Sequence, residues 1–431
     1  MSTKRFLSAL IFIHLLFYVL ALIIGGTHIA DSYDYLYQAE NLRNTGSFYA
    51  WNLDEPIKPD YFTKRTPGYA VFLYFFHSIE WLVLLLQNLM SIVLWWMVYK
   101  LLLAFQLDKN KAGWLVLLVL LFQSNTLIYT NSILAETSFQ FLLFLGFYCL
   151  YRDLKYQEFW NWLVAGFCFT IALLLKPVLL FFWIPFLAYA LVRASQRRRL
   201  QLVWPVFLLP LTVLLWSTHN QNTTGWTHFT SISAVNLKDY NTRLMLESLY
   251  GTDSADVVIG EINRTAAFIP DYGHRSRFII DTCKSILKAN KMAYAKVHVK
   301  GMVAMMLDPG RFDYVQFFKL DAGDEGLMYK LARGDISGMW DTMKVQSPFT
   351  VFFFILNLLG SVALLILALS GLRVFPKQKM LVVLLVGLIA YFWVLTGPVG
   401  TARYKSTILP YMVILAGMGI VRAKGSERNE R

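Results

Sequence analysis

Residues 28–50 read HIADSYDYLYQAENLRNTGSFYA, and residues 58–73 read KPDYFTKRTPGYAVFL. This polar stretch follows directly on the first hydrophobic segment of the chain. It begins with the carboxylate of Asp31 and ends with the cations Lys64 and Arg65. Membrane proteins rarely keep charged side chains at the edge of the bilayer unless those side chains have a function. We therefore expect the functional site in this stretch.

The rest of the chain is strongly apolar. Of its 431 residues, 57% are hydrophobic and only 16% are charged, which excludes an ordinary soluble protein. About 20 consecutive apolar residues span a bilayer core. The sequence therefore predicts an all-α polytopic membrane protein with about ten transmembrane helices. The predicted segments are residues 6–24, 80–104, 114–131, 133–151, 159–175, 178–194, 201–217, 350–371, 379–397 and 406–421.

The net charge of +13 is explained mainly by topology. With ten spans, the basic residues between alternate helices all fall on one face, which the positive-inside rule makes cytoplasmic. We therefore expect both termini in the cytoplasm, a lipid bilayer as surroundings and no nucleic-acid partner. These basic residues are Lys4, Arg5, Lys109, Lys111, Arg152, Lys155, Arg193, Arg197, Arg198, Arg199, Arg373, Lys377, Lys379, Arg422, Lys424, Arg428 and Arg431.

Changes in composition divide the chain into three parts. Residues 1–217 form a transmembrane catalytic module whose outer loop, 25–79, contains the polar stretch. Within that loop, residues 66–78 are too short to span and are predicted to re-enter along the membrane surface. Residues 218–349 are predicted to form a small, mostly helical extracytoplasmic domain, and residues 350–431 supply the last three transmembrane helices.

Asp31 is the leading candidate for a catalytic base. It begins a predicted helix, so a simpler interpretation is that it only caps that helix. Its position, a few residues past the first span at the outer surface, favours catalysis. Asp34 lies one turn further and is a second catalytic candidate, although a solvated or helix-dipole carboxylate is the simpler expectation.

Four of the cations on the predicted outer face, where the positive-inside rule does not explain them, are candidates for a site. They are Lys64, Arg65, Lys176 and Arg403, and Tyr404 follows the last of them. Attraction to lipid headgroups is one explanation. Their recurrence at one depth favours an electropositive pocket for the phosphate of a lipid-linked substrate.

Glu136 opens the fourth predicted span from the outer side. A carboxylate in an intramembrane segment is a functional candidate, but one in a first helical turn is also favoured by the helix dipole. Tyr35 is a candidate for substrate binding, and Tyr61 and His28 are weaker ones. A lone histidine at a membrane edge is more often a hydrogen-bonded structural residue.

Cysteine usage supports neither a disulfide framework nor a zinc site. The chain has three cysteines, and none occurs in a CxxC or Cys/His cluster. With cations already present and carboxylates scarce, we expect no cofactor and no obligatory metal.

The motifs resemble those of the GT-C membrane glycosyltransferases. The first span followed by Asp-x-x-x-Tyr, at Asp31 and Tyr35, is similar to the start of that superfamily. The closest likeness is to the branch of the dolichyl-phosphate-mannose protein mannosyltransferases and the bacterial lipid A aminoarabinose transferase. Supporting motifs are RTPGYAVFL at 65–73, LAET at 134–137, Lys-Pro at 176–177, WTHFTSISAVNLKDYN at 226–241 and TARYKSTILPYMVILAGMG at 401–419.

The chain departs from that branch at two places. Thr63 stands where the aminoarabinose transferase branch has a glutamate before its lysine, which leaves open any role for a second loop carboxylate. His219 precedes Asn220 where an arginine would be expected after the seventh span.

The resemblance implies transfer of a sugar from a polyprenyl-phosphate donor to an extracytoplasmic acceptor, which could be lipid, polysaccharide or protein. By an inverting displacement, Asp31 would accept the acceptor's proton or orient it, while Lys64, Arg65 and Arg403 stabilise the leaving phosphate. A bacterial inner membrane fits the lack of a eukaryotic retention signal. The alternative is a transporter or flippase of a lipid-linked anion, which would need polar groups on both sides of the membrane midplane.

Overall fold

The computed structural model describes residues 1–320, 337–338, 341, 344, 348–374 and 379–429. Within these ranges every regular element is a helix, and no strand occurs. The all-α prediction is therefore confirmed. Five helices in the described part are long and apolar enough to cross a membrane, which fits a polytopic membrane protein.

The N-terminal half contains the polar helix Ala30–Thr45 among helices that are mainly apolar. In chain order the helices are α1 (Thr3–Ile24), α2 (Ala30–Thr45), α3 (Pro67–Phe75), α4 (Glu80–Ala104), α5 (Lys109–Phe122), α6 (Asn125–Thr130), α7 (Glu136–Tyr156), α8 (Phe159–Leu175), α9 (Trp183–Arg197) and α10 (Leu208–Thr224). A 3₁₀ segment, Leu200–Phe207, leads directly into α10.

In the remaining part of the chain, helices rich in polar residues come first and long apolar helices follow. They are α11 (Ile232–Val235), α12 (Arg243–Tyr250), α13 (Thr252–Ala267), α14 (Tyr272–Ala289), α15 (Lys291–Leu307), α16 (Arg311–Phe317), α17 (Pro348–Gly371), α18 (Lys379–Leu395) and α19 (Ala402–Asn429). A π-helical turn, Asn236–Thr242, joins α11 to α12.

Each of the ten predicted segments overlaps at least one helix, but only five helices of the described part are long and apolar enough to cross a membrane. The five helices that are long and apolar enough to span a bilayer are Thr3–Ile24, Glu80–Ala104, Leu200–Thr224, Thr350–Gly371 and Ala402–Val421. Two further apolar helices, α8 and α18, are shorter. The number of ten spans therefore stays a prediction.

The predicted segment 114–131 is divided between α5 and α6. The break lies at Gln123, whose side-chain amide donates to the Asn357 carbonyl and to the Ser361 hydroxyl, each at 3.0 Å. Both acceptors are on α17. The interruption is thus stabilised by tertiary hydrogen bonds that no local pattern of apolar residues reveals.

The start of α2 differs from the expectation that Asp31 caps it. The helix begins at Ala30, and the Ser32 hydroxyl accepts a hydrogen bond from the backbone N–H of Ile29 at 3.0 Å. Because Ser32 satisfies this donor, the Asp31 carboxylate is left for other partners. The capping interpretation of Asp31 is wrong.

The short helix α3 occupies the segment that was predicted to re-enter along the membrane surface. Pro67 at its first position suits a helix start because proline has no N–H to leave unpaired. Gly68 follows, and a Cβ there would lie 2.7 Å from the backbone carbonyl of Leu174 at the end of α8. The close contact of α3 with α8 therefore requires a glycine at this position.

The segment predicted as an extracytoplasmic domain has a small core of its own. Met245, Leu246, Ala255, Ile259 and Cys283 are buried together, with contributions from α12, α13 and α14. Its assignment as a separate domain on the outer face stays a prediction. Residues 321–336 and several positions between 339 and 347 lie outside the described residues.

The last helix, α19, is the most enclosed of the five long apolar helices. In the most apolar part of α19, 83% of the residues are buried, compared with 17% in that of α1. It packs against α17, α18 and α4, so the residue at its start is held from several sides. Lys377 and Arg431 lie outside the described residues, as do the side chains of Arg422, Lys424 and Arg428.

Two of the basic residues assigned to the cytoplasmic face have a structural partner. Arg197 donates to Asp153 at 2.5 Å and Arg193 approaches it at 3.5 Å. Asp153 is fully buried on α7, and both arginines are on α9. These ion pairs join α7 to α9 in addition to any part that the two arginines take in setting topology.

Candidate active site

Asp31, in the first turn of α2, contacts two arginines. Arg65 Nη2 donates to Asp31 Oδ1 at 2.5 Å, and Arg403 Nη1 donates to Asp31 Oδ2 at 2.6 Å. Arg65 precedes α3, whereas Arg403 lies in the first turn of α19. One carboxylate therefore joins three parts of the chain that are far apart in sequence.

Asp34 extends this set of ion pairs. Lys64 Nζ lies 3.0 Å from Asp34 Oδ1, and Arg65 Nε donates to Asp34 Oδ2 at 2.9 Å. Asp34 is only 3% exposed. The expectation of a solvated carboxylate is therefore wrong, because α2 turns Asp34 inward toward Lys64 and Arg65.

Glu136, the first residue of α7, extends the set on the other side. Lys176 Nζ lies 2.8 Å from Glu136 Oε1, and Arg403 Nε donates to the same oxygen. Lys176 ends α8 just before Pro177. The helix-dipole interpretation describes the position of Glu136, but the two cations give it partners that the dipole alone would not supply.

These contacts form one continuous series of charges, which we name the ion chain. Among the described residues, four cations face three carboxylates in it, so the ion chain itself carries an excess of one positive charge. All seven members were expected in the site from the sequence. In order of contact they are Lys64, Asp34, Arg65, Asp31, Arg403, Glu136 and Lys176.

Two of the predicted tyrosines support the ion chain with their rings. The Arg65 guanidinium lies 5.2 Å from the ring centroid of Tyr35, and Lys64 Nζ lies 4.7 Å from that of Tyr61. A cation over an aromatic face is attracted by the ring electrons. Tyr35 and Tyr61 therefore help to position Arg65 and Lys64.

His28 and Tyr404 lie apart from the ion chain. His28 Nδ1 is 3.0 Å from the Thr27 hydroxyl, and its ring faces Tyr33. Tyr404 is 36% exposed although it follows Arg403 directly. Substrate binding by His28 and phosphate binding by Tyr404 stay predictions, without the contacts to the ion chain that the other candidates have.

The surroundings of Asp31 make it a weak base. Burial opposes its ionisation, but the guanidiniums of Arg403 and Arg65 outweigh burial and hold the pKa of Asp31 well below its usual value. Burial raises the pKa of the neighbouring Tyr35 to about 12. In this arrangement Asp31 is an ionised acceptor of hydrogen bonds, so of its two expected roles the orienting role is favoured over proton acceptance.

A cavity of about 850 Å³ opens beside the ion chain. Asp31 and Arg403 line it on one side, and Glu247 of α12 and Lys300 of α15 line it on another. Two helices of the polar segment thus form part of its wall. A cavity of this size accepts a sugar together with part of an acceptor molecule.

The cavity also contains residues that sequence analysis missed. Asp308 precedes α16, Asp313 lies on it, and both line the cavity together with Tyr129 of α6. The Tyr129 hydroxyl donates to Asp313 Oδ2. The only local signal was the Asp-Pro-Gly turn at 308–310, which is indistinguishable from an ordinary surface turn in a polar segment.

Asp308 fixes the start of α19 and thereby Arg403. Its Oδ2 accepts from the backbone N–H of Ala402 at 2.7 Å, and its carbonyl oxygen accepts from Lys405 Nζ at 2.7 Å. Lys405 is buried and also donates to the Ser361 hydroxyl. The carboxylate of Asp308 therefore acts as a helix cap from outside the helix.

A metal ion would need several ligand side chains close together among the described residues. They contain no group of three or more histidine, cysteine or acidic side chains that could hold a metal ion. Independence from metal and cofactor stays a prediction.

One comparison with known proteins is informative. Residues 64–220 match the family described as dolichyl-phosphate-mannose-protein mannosyltransferase. The match covers about a third of the chain and includes Lys64, Arg65, Glu136 and Lys176. Among curated proteins, none matches the chain. The family match confirms the likeness to the GT-C superfamily and supports a membrane glycosyltransferase of that kind.

Proposed function

Starting from a membrane glycosyltransferase of the GT-C kind, we propose that the chain moves a sugar from a polyprenyl-phosphate donor to an extracytoplasmic acceptor. The observation that carries this proposal is the ion chain beside the cavity, with its excess of one positive charge. A phosphate diester brings one negative charge, which matches this excess. Arginine is well suited to it because its planar donors fit phosphate oxygens in pairs.

The proposed reaction is an inverting direct displacement. The acceptor oxygen forms a bond to the anomeric carbon while the bond from that carbon to the phosphate oxygen breaks. The bonding electrons leave with the phosphate, which becomes polyprenyl phosphate, and the acceptor loses its proton. Negative charge grows on the phosphate in the transition state, so cations that are already in place stabilise it.

Arg403 is the member of the ion chain best placed to contact both donor and acceptor. It lines the cavity and contacts the carboxylates of Asp31 and Glu136. Lys64, Arg65 and Lys176 extend the positive surface on either side of it, and Asp31 keeps Arg403 and Arg65 together. In this proposal Asp31 orients the acceptor, and the isoprenoid tail lies along lipid-facing grooves between helices.

The proposed location is an inner membrane of a bacterium, with both termini in the cytoplasm and the cavity on the outer face. The support is the placement of basic residues at alternate ends of the apolar helices. The acceptor is a lipid, polysaccharide or protein of the envelope, which enters from the side of α12 and α15. We propose that no metal is obligatory, because the ion chain already supplies the cations.

Release of polyprenyl phosphate from a panel of donors tests this function. The panel is undecaprenyl phosphate carrying mannose, glucose or 4-amino-4-deoxyarabinose, and a bacterial envelope extract serves as the source of acceptor. The purified chain in nanodiscs is expected to release undecaprenyl phosphate from one donor, also in the presence of EDTA. Arg403→Ala is expected to lower the rate about 100- to 1000-fold.

Arg264→Ala is the matched control, since Arg264 is exposed on α13 and 71% of its side chain is accessible. It is expected to keep the full rate. If no donor is consumed by folded protein, or if the donor only crosses the bilayer intact, the proposed function is wrong, and the second outcome would establish a flippase. An unchanged rate in Arg403→Ala would remove Arg403 from the phosphate site.

A further inference from the structure

A carboxylate outside the ion chain faces the same cavity. Asp313 lies on α16, which begins after the turn at residues 308–310, where Gly310 has a positive φ of 73°. This turn directs α16 along the cavity wall, and Asp313 lines the cavity together with Asp31 and Arg403. A small molecule in the cavity can therefore contact Asp313 and the ion chain at once.

The partners of Asp313 differ from those of the carboxylates in the ion chain. Asp31, Asp34 and Glu136 each contact two cations. Within the part of the chain that the structure describes, no lysine or arginine forms an ion pair with Asp313. Its hydrogen-bond donor is the hydroxyl of Tyr129 on Oδ2. No described residue donates a hydrogen bond to Oδ1, which leaves this oxygen to a ligand in the cavity.

We propose that Asp313 accepts the proton of the acceptor hydroxyl group, while Asp31 holds the arginines that bind the donor phosphate. This assignment rests on the proposed glycosyl transfer. As the acceptor oxygen bonds to the anomeric carbon, its O–H bond breaks and the proton moves to the Asp313 carboxylate. The sugar–phosphate bond breaks in the same step, and its electrons leave with the polyprenyl phosphate. Water then takes the proton from Asp313 after the product departs.

The electrostatics around Asp313 suit a base at neutral pH. Burial is the main influence and, with the carboxylates of Asp308 and Glu136, raises the pKa of Asp313 to about 7, while Tyr129 and Arg403 oppose that shift. A general base is most effective when its pKa is near the working pH. The groups that face it are Tyr129 on α6, Glu136 on α7, Asp308 before α16, and Arg403 and Lys405 on α19.

Asp31 and Asp313 have different roles in this proposal because their hydrogen-bond partners differ. Asp31 is ionised but weakly basic, because two guanidiniums contact it at 2.5 and 2.6 Å. Among the described residues, the neutral hydroxyl of Tyr129 is the only side-chain donor to the Asp313 carboxylate, so protonation of Asp313 breaks no ion pair there. Tyr129 both fixes the orientation of Asp313 and stabilises its charged form. Asp313 is accordingly a catalytic residue, and Tyr129 is a positioning residue.

The pH dependence of undecaprenyl phosphate release separates these roles in the full chain in nanodiscs. For wild type, with the donor from the panel that is consumed, kcat is expected to rise with pH through about 7, as Asp313 loses its proton. Asp313→Asn is expected to lower kcat about 100- to 10,000-fold and to abolish this rise. Binding of undecaprenyl phosphate is expected to stay within about twofold, because Asp313 contacts the acceptor only.

Two further measurements distinguish proton transfer from a structural effect. Tyr129→Phe is expected to remain active and to shift the rise in kcat to higher pH, since it removes a hydrogen bond that stabilises the Asp313 carboxylate. Azide, an acceptor that has no proton to lose, is expected to restore release in Asp313→Asn but not in Arg403→Ala. Asp281→Asn, an exposed aspartate on α14, is the matched control and should keep the wild-type profile.

Different results overturn different parts of the proposal. If wild type is active and Asp313→Asn keeps both its rate and its pH dependence, the assignment of Asp313 is wrong and glycosyl transfer stands. The assignment is equally wrong if azide fails to rescue Asp313→Asn protein that still binds undecaprenyl phosphate. A wild type that consumes no donor would overturn the proposed function and the assignment together.

Discussion

At Asp31, the two bound guanidiniums come from positions 34 and 372 residues away along the chain. A carboxylate with these partners contributes to folding as well as to any chemistry, because it joins the first turn of α2 to the start of α19. Removing it leaves two cations facing each other across the space that it occupied. Repulsion between them is strong in partly buried surroundings, where water screens charges poorly.

We predict that Asp31→Asn destabilises the fold by about 1–3 kcal/mol, below the range for fully buried pairs because the side chain is partly exposed. The folded pKa of Asp31 is depressed, so its stabilising effect is present above its unfolded pKa of 3.8 and is lost as the pH falls toward its folded pKa. Wild type should therefore lose more thermal stability than Asp31→Asn between about pH 6 and pH 3. Parallel melting curves for the two proteins over that range would contradict this account.

The residues of the ion chain could be predicted from the sequence because charges are conspicuous in apolar surroundings. Glu136 and Lys176 border apolar segments, and Arg403 opens one. Asp313 could not be found in this way, because it belongs to a long polar segment in which aspartates are common. Its importance depends on the turn of the chain at Gly310 and on Tyr129, which is 184 residues away.

Among the elements, the short helix α3 connects the ion chain to the apolar helices. It follows Lys64 and Arg65 directly, and it packs against α2 and α8. The position of α3 on α8 thus sets where these two cations point. The sequence predicted a short segment at the membrane surface here, but not its contact with α8, since packing partners are not encoded in local periodicity.

We predict that Gly68→Ala disturbs the site without touching a charged residue. Its Cβ would lie 2.7 Å from the backbone of Leu174, so α3 must move away from α8 and carry Arg65 with it. Overpacking of this kind costs about 1–3 kcal/mol, and binding of undecaprenyl phosphate should weaken. Melting temperature and binding of that lipid by the nanodisc-embedded protein are the measurements.

Gly260→Ala on α13 is the control for this substitution. A Cβ at Gly260 meets no atom within 4 Å, so alanine should be neutral or slightly stabilising there because it favours helix. If Gly68→Ala behaved like Gly260→Ala, the α3–α8 contact would be looser than the structure indicates.

At the scale of the whole molecule, apolar composition predicted the helices more reliably than the number of membrane crossings. All ten predicted segments coincide with helices, yet α5, α7 and α9 are too short or too charged to meet the criteria for a span on their own. Helices that pack inside a bundle need less apolar surface than helices that face lipid. Composition alone therefore does not show whether such a helix spans the membrane. Orientation therefore has to be tested directly.

We predict that Lys58→Cys, in the first outer loop, reacts with a membrane-impermeant maleimide in intact bacterial cells that express the chain. Lys111→Cys, in the first turn of α5, should react only after the cells are permeabilised. Both lysines are exposed, so access differs only through the membrane. The three native cysteines are buried, which keeps background labelling low. Ten spans with cytoplasmic termini require this pattern, and a cysteine at Arg264 should label like that at Lys58. Equal labelling of Lys58→Cys and Lys111→Cys before permeabilisation would contradict the topology and, with it, an active site on the outer face.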